Sequence, residues 1–238
     1  MTDSHTRPRL IHWMGYLALT FLILLPVAVL TVRSGQWQSG LMLYALAALG
    51  SLLVFTLCAI FLVMPKFSTW RPDIGKRALM ALPGAVLMLS LLGSGGAPQI
   101  HDITTDTIDP PQFVTAEKER GEGANTLAIK EDFIAQQKAA YPDLQALRTV
   151  LSQEDAFTRA LEIASSLGWR VYYENRNTGI IEAVDITGIM AFKDDVVIRV
   201  RTDAAGTKLD LRSVSRVGLG DLGANAERIR RFQAAFAE

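Results

Sequence analysis

Leu10–Val32 and Leu41–Met64 are long, nearly continuous apolar runs, and they constrain the fold more than any other feature of the chain. The first is interrupted by His12 at one end and Pro26 inside, the second by the polar residues Ser51 and Thr56. A helix crossing the hydrocarbon core of a bilayer takes about 20 apolar residues, and lipid satisfies no unpaired backbone group. Both runs meet that length. A third run, Ala78–Leu92, contains Pro83 and Gly84 and reaches it only when Ser94–Ala97 are included. Three transmembrane helices are therefore expected, at about 10–32, 41–64 and 78–97. The first run is too long for the apolar part of a signal peptide and two more follow it, so it reads as a retained span.

Basic residues set the expected orientation, because loops on the cytoplasmic side are enriched in Lys and Arg. The N-terminal tail carries Arg7 and Arg9. The first loop carries Arg33 alone, and the second carries Lys66, Arg71, Lys76 and Arg77. No Lys or Arg then appears until Lys118. Tail and second loop are expected inside, first loop and C-terminal portion outside. The expected location is the bacterial inner membrane, with the N-terminus cytoplasmic and the C-terminal domain periplasmic. Trp13, Tyr16, Trp37, Tyr44 and Trp70 lie near the span ends, where amphipathic rings favour the interface. The three runs contain no Asp, Glu, Lys or Arg. Charges inside a membrane usually mark ion or proton paths, so the spans read as an anchor and not as a pump.

The zero formal net charge hides an asymmetry. Residues 1–97 hold seven basic and two acidic residues, a balance of +5, and the remainder balances at −5. An acidic domain is a poor partner for nucleic acid, which needs clustered Lys and Arg. Cys58 is the single cysteine, so no internal disulfide and no paired-cysteine zinc site is possible.

The expected division is a membrane domain at 1–97 and a soluble α+β domain at 98–238. In the latter, Gln99–Phe113 reads as polar and extended, with Pro110–Pro111 blocking helix. Ala116–Asn125 reads as a surface loop. A short helix is expected over Leu127–Ala140. Another is expected over Gln153–Leu167, with Ser152 as N-cap and Gly168 as its stop. Strands follow at Trp169–Glu174, within Gly179–Phe192 (bent or bulged at Gly188), at Val196–Arg201 and at Thr207–Arg216, with Lys193–Asp195 as a tight connection. In the last strand Leu209 and Leu211 are expected to face in, and Lys208, Asp210 and Arg212 out. A four-residue turn at Asp203–Gly206 sets Arg199 opposite Asp210, a favourable pair. A final helix runs from about Ala224 to Phe236, with Ile229, Phe232 and Phe236 as its apolar stripe. Helices covering one face of an antiparallel sheet make a two-layer α+β domain.

The strings HDITTD (101–106), DPP (109–111), AYPD (140–143), GIIEA (179–183), FKDDVVIRVR (192–201) and RSVSRVGLGDLGANAERIRRF (212–232) resemble the domain-of-unknown-function family numbered 1499, over about residues 99–236. The resemblance implies the fold unit and supplies no chemistry.

One candidate site is Arg212, Ser213, Ser215 and Arg216, leading through Gly218, Gly220, Asp221 and Gly223 to Asn225 and Arg228 at a helix start. A helix N-terminus beside arginines suits a phosphate or carboxylate. The competing reading is structural: Asp221 or Asn225 caps the helix, and the arginines pair with acids such as Asp194 and Asp195. A weaker candidate is His101, Asp102 and Asp106, with Asp109 as a further oxygen donor, as an oxygen-rich cation site. Its spacing matches no known loop signature, and Asx and Thr turns explain the same composition. His101 is the one histidine of the soluble half, and no G-x-S-x-G elbow is present. The leading expectation is thus a membrane-anchored envelope protein that binds a protein partner or a small anionic ligand, with no cofactor. The alternative is an enzyme acting on an anionic envelope molecule through the Arg/Ser loop.

Overall fold

The apolar runs become three long helices in the computed structural model, which describes residues 8–93 and 96–238. These are α1 (Arg9–Arg33), α2 (Trp37–Val63) and α3 (Arg71–Gly93), the last preceded by a 3-10 turn at Pro65–Trp70. Each is long and apolar enough to cross a membrane. They pack on one another around Ile11, Met14, Ala18, Val54, Cys58, Ile74 and Ala81. Their outward side chains are large and apolar, among them Leu30, Met42, Leu53 and Leu79. That is the surface lipid would cover. Small residues bring the helices close: a Cβ on Gly84 would collide with Ser51 Oγ, and one on Gly50 would meet the Phe21 ring.

Two expectations about the third span are corrected. The helix starts at Arg71, seven residues before Ala78, and ends at Gly93. Pro72 does not prevent this, because a proline in a first helical turn sacrifices no internal hydrogen bond. Ser94 lies outside the described residues, and Gly96–Ala97 form a turn. The longer helix therefore includes Arg71, Asp73, Lys76 and Arg77, so this span is not free of charge. Arg77 is half-buried. Its Nε donates to the Ile11 carbonyl at 2.7 Å and its Nη1 to the Asp73 carbonyl at 2.6 Å. Ala78–Leu92 itself remains uncharged.

The second unit begins at Gly96. Its elements are β1 (Asp102–Thr104), α4 (Ala116–Arg120), α5 (Glu131–Ala140), β2 (Leu147–Thr149), α6 (Gln153–Ser166), β3 (Arg170–Asn175), β4 (Ile180–Ile186), β5 (Lys193–Asp203), β6 (Gly206–Ser215) and α7 (Ala224–Ala237). The antiparallel sheet runs β1-β6-β5-β4-β3, and β2 shares the outer edge of β6 with β1. α6 and α7 cover one face, so the fold is α+β. Phe157, Ile198, Leu211, Ile229 and Phe232 fill the core between them. Each such side chain contributes roughly 1.5–3 kcal/mol on burial. Ser152 Oγ accepts from Asp155 N at 3.1 Å, capping α6. Arg199 stands opposite Asp210 across the β5–β6 hairpin, as its turn length requires.

Several boundaries differ from expectation for identifiable reasons. Lys193–Asp195 is the start of β5 and not a connection. The turn comes earlier: Thr187 accepts from Phe192 N through its hydroxyl and from Ala191 N through its carbonyl. The register irregularity falls between Val171 and Tyr173 and not at Gly188. Trp169 precedes β3 and stacks on Phe232. α5 is shorter than expected, starting at Glu131.

The largest correction concerns the second sheet face. Asp210 and Arg212, expected to face outward to solvent, are 0% and 1% exposed. The polar stretch between β1 and α5 lies across that face. Pro111 O and Leu127 O accept from Arg212, Asp109 O accepts from Arg199, and Val114 N donates to Glu182. The presumed surface loop after Phe113 contains α4, with Ala116 and Arg120 buried.

Candidate functional site

The β6–α7 connection brings together four of the six residues singled out for anion binding. Side chains alternate across a strand, so Ser213 and Ser215 point toward α7 while Arg212 and Arg216 point away. Ser213 Oγ donates to Asn225 Oδ1 at 2.6 Å, and Asn225 Nδ2 donates to Ser215 Oγ at 2.9 Å and to the His101 carbonyl at 3.1 Å. Arg228, one turn along α7, donates to Asn225 Oδ1 (2.6 Å), Ser213 Oγ (3.1 Å), Asp194 Oδ2 (2.6 Å) and Asp185 Oδ2 (2.7 Å). Its side chain is buried.

The other two arginines are built into the opposite face. Arg212 holds Asp102 through two bonds of 2.9 and 2.7 Å, and its guanidinium lies 5.5 Å from the centre of the Phe113 ring. Arg216 holds Asp195 through two bonds of 3.0 and 2.8 Å. Arg120 adds a third charge there, its Nη1 3.6 Å from Asp195 Oδ2, and Tyr172 donates its hydroxyl to the same carboxylate. Burial, with the Asp195 and Glu182 charges, pushes the Tyr172 phenol far above its ordinary value, so it remains a donor.

The N-terminus of α7 is occupied by the protein's own carboxylate. Asp221 accepts from Gly223 N and Asn225 N, each at 2.8 Å. Gly223 supplies the left-handed residue that this turn needs, at φ +89°. An external anion would have to compete with Asp221 at the helix and with Asp102, Asp185, Asp194 and Asp195 at the arginines.

His101, Asp102 and Asp106 go to three different places. His101 is buried edge-on against Phe133, and burial pushes its imidazole below the usual value, against the opposing Leu219 hydrogen bond and Asp102 charge. Asp102 faces Arg212. Asp106 accepts from Lys208 and Arg201 at 2.9 Å each, and from the N–H groups of Ile108 and Asp109. Among the described residues no group of three or more His, Cys, Asp or Glu converges as metal ligands would.

Asp106 yields a pH prediction. Burial pushes its carboxyl up, but the N–H groups of Asp109 and Ile108 and the Lys208 ammonium outweigh it and hold the pKa at about 2, below the ordinary 3.8. A carboxyl depressed by folding stabilises fully above its unfolded pKa and loses that contribution as pH falls through the folded value. Denaturation midpoints of the full chain in micelles should fall between pH 4 and 2. Asp106→Asn should be less stable at pH 7 and flatter across that window. A wild-type slope retained by the variant would refute the assignment.

Sequence reasoning missed Arg120, Tyr172, Glu182 and Asp185. The signal available was acid in central strands: Glu182 in β4 and Asp195 in β5 are both 0% exposed, a placement that demands a partner. It also missed a cleft of about 590 Å³ between β2 and the C-terminal end of α7, lined by Arg148, Val150, Leu151, Arg159 and Phe236. Arg159 donates to the Phe236 carbonyl at 3.1 Å and lies over its ring, while Arg148 pairs with Asp203 at the rim.

Comparison with curated proteins gives no match. Residues 102–236 match the family described as "Protein of unknown function (DUF1499)". That match spans more than half of the chain, and the protein belongs to this family.

Proposed function

We propose that this protein is a membrane-anchored binding module of the bacterial cell envelope. Three spans hold the family domain on the periplasmic side, away from the N-terminal tail. Arg9 and the Lys66–Arg77 segment supply the positive charge that favours the cytoplasmic side. Binding is favoured over turnover because the acids and arginines singled out in the sheet are committed to one another. A nucleophile with a free base beside it would be needed for catalysis of the usual kinds.

The observation that carries this reading is the cleft beside β2. Its lining is mainly apolar, with Arg148, Arg159 and Glu238 as its charged members. Such a cleft fits an apolar protein segment or small ligand, since Arg148 is already held by Asp203 and Arg159 by the Phe236 carbonyl, and Glu238 lines the same cleft.

A photo-crosslinking amino acid placed at Val150, fully exposed beside the cleft, tests it in intact membranes. The expected result is one reproducible adduct, diminished by Arg159→Glu. No adduct from Val150, Ala205 or Ala237 would end the binding proposal. A reporter fused after Glu238 that is active only in the cytosol would end the orientation.

A further inference from the structure

One end of the sheet carries apolar side chains that the fold pushes outward. In the β6–α7 loop Leu219 is 81% and Leu222 63% exposed, and in the neighbouring β4–β5 turn Ile189 is 71% exposed. These loops share an end of the sheet, because Asp194 pairs with Ser215 and Arg216 N donates to the Lys193 carbonyl. They are not loosely held. Asp221 N donates to the Ile100 carbonyl, and the Asp221 carboxylate ties Gly223 N and Asn225 N. Leu219 O lies 3.4 Å from His101 Nδ1.

Leu222 stands at φ +54° and Ala191, in the turn containing Ile189, at φ +55°. These are the two non-glycine residues in the left-handed region among those described. Glycine or asparagine would occupy position 222 with less strain. A strained, exposed leucine flanked by a second exposed leucine is costly unless an apolar environment receives it.

The chain itself indicates which environment. Gly220 packs against the Gln99 backbone, a Cβ there lying 3.2 Å from Gln99 Cα. Six peptide steps separate Gln99 from Gly93, the last residue of α3. At about 3.3–3.6 Å per residue this tether reaches no farther than roughly 20 Å. If α3 ends at the edge of the hydrocarbon, the end of the domain bearing Leu219 and Leu222 stays within that distance of the lipid headgroups.

We infer that the Leu219–Leu222 loop, with Ile189 beside it, is a membrane-contact surface that inserts into the interfacial region of the bilayer anchoring the same chain. The inference rests on the spanning part of the proposed function and not on the side the domain faces or on the cleft. Interfacial insertion of a few apolar side chains would fix the orientation of a short-tethered domain over the lipid surface.

The test uses the full chain in vesicles of phosphatidylethanolamine and phosphatidylglycerol, in a Cys58→Ser background. An environment-sensitive fluorophore is attached at Leu222→Cys, at Ala205→Cys in the β5–β6 turn at the opposite end, and at Leu53→Cys on the outer face of α2. Quenching by aqueous iodide is compared. Position 222 should be quenched at least fivefold less than position 205, and Leu219→Asp should abolish that protection. Leu222→Asn, which relieves the left-handed strain, should raise the melting temperature while an adjacent label at Leu219→Cys becomes accessible. Quenching at 222 within twofold of 205, with position 53 shielded, overturns the inference and leaves the anchor intact. An accessible position 53 overturns both. Protection at 222 in native membranes but not in pure lipid identifies a protein partner, and overturns the lipid assignment.

Discussion

Arg228→Ala is expected to destabilise the family domain by about 3–5 kcal/mol, the range for removing one member of a buried ion pair. The guanidinium is the shared donor for Asp185, Asp194, Asn225 and Ser213. Alanine leaves Asp194, 3% exposed, without its charge partner, and leaves Asn225 Oδ1 and Ser213 Oγ short of a donor. Natural domains have about 5–15 kcal/mol in total, so the variant sits close to unfolding. Hydrogen exchange on the full chain in micelles reads the effect locally: β5 and β6 amides should lose protection while α1 and α2 amides do not. Arg228→Lys should recover little, since one ammonium cannot span both carboxylates in the geometry of the guanidinium fork. Arg148→Ala is the control. Its pair with Asp203 is about half exposed, and such exposed pairs contribute little to stability. Equal losses in the two variants would refute the buried-network account.

The contrast between these arginines also explains what was legible in the sequence. Arg199 opposite Asp210 followed from turn length and the two-residue period alone. The same period should have separated Ser213 and Ser215 from Arg212 and Arg216, which were instead grouped in one candidate site although adjacent strand residues face opposite ways. The α6 cap at Ser152 was likewise a local matter. The partners were not local. Asp102 meets Arg212 across 110 positions of chain, and Asp195 meets Arg120, which sits in a polar five-residue helix resembling a solvated loop. β2 is three residues long and has no periodicity to detect. The polar face of the sheet read as solvent-facing because charged residues usually are. It is instead sealed by Asp106–Leu127, whose backbone carbonyls and N–H groups satisfy those charges. Arg77 was placed outside the third span for a related reason. Hydropathy marks where a run is apolar and not where the helix that carries it begins.

The second face supports an equally large effect with a different signature. Asp195→Asn preserves shape but removes the one carboxylate that Arg216 grips with two bonds and Arg120 approaches at 3.6 Å. Two buried guanidiniums would then face each other with no counter-charge between them, and only the neutral amide oxygen at position 195 and the Glu119 and Ser215 carbonyls as direct acceptors. The expected loss is about 3–5 kcal/mol. Arg120 is the less well satisfied of the two, since its Nε and Nη1 have no hydrogen-bond partner. Replacing it with an apolar residue of similar length, Arg120→Met, should therefore change stability by no more than about 1 kcal/mol, because a well-packed apolar group often replaces a poorly bonded buried charge at little cost. With Arg120 already removed, Asp195→Asn strands one guanidinium and not two. The double variant should be more stable than the sum of the single changes implies, by at least about 1 kcal/mol. Denaturant titrations of the four proteins measure this directly. Strict additivity would mean that Arg120 and Asp195 do not interact.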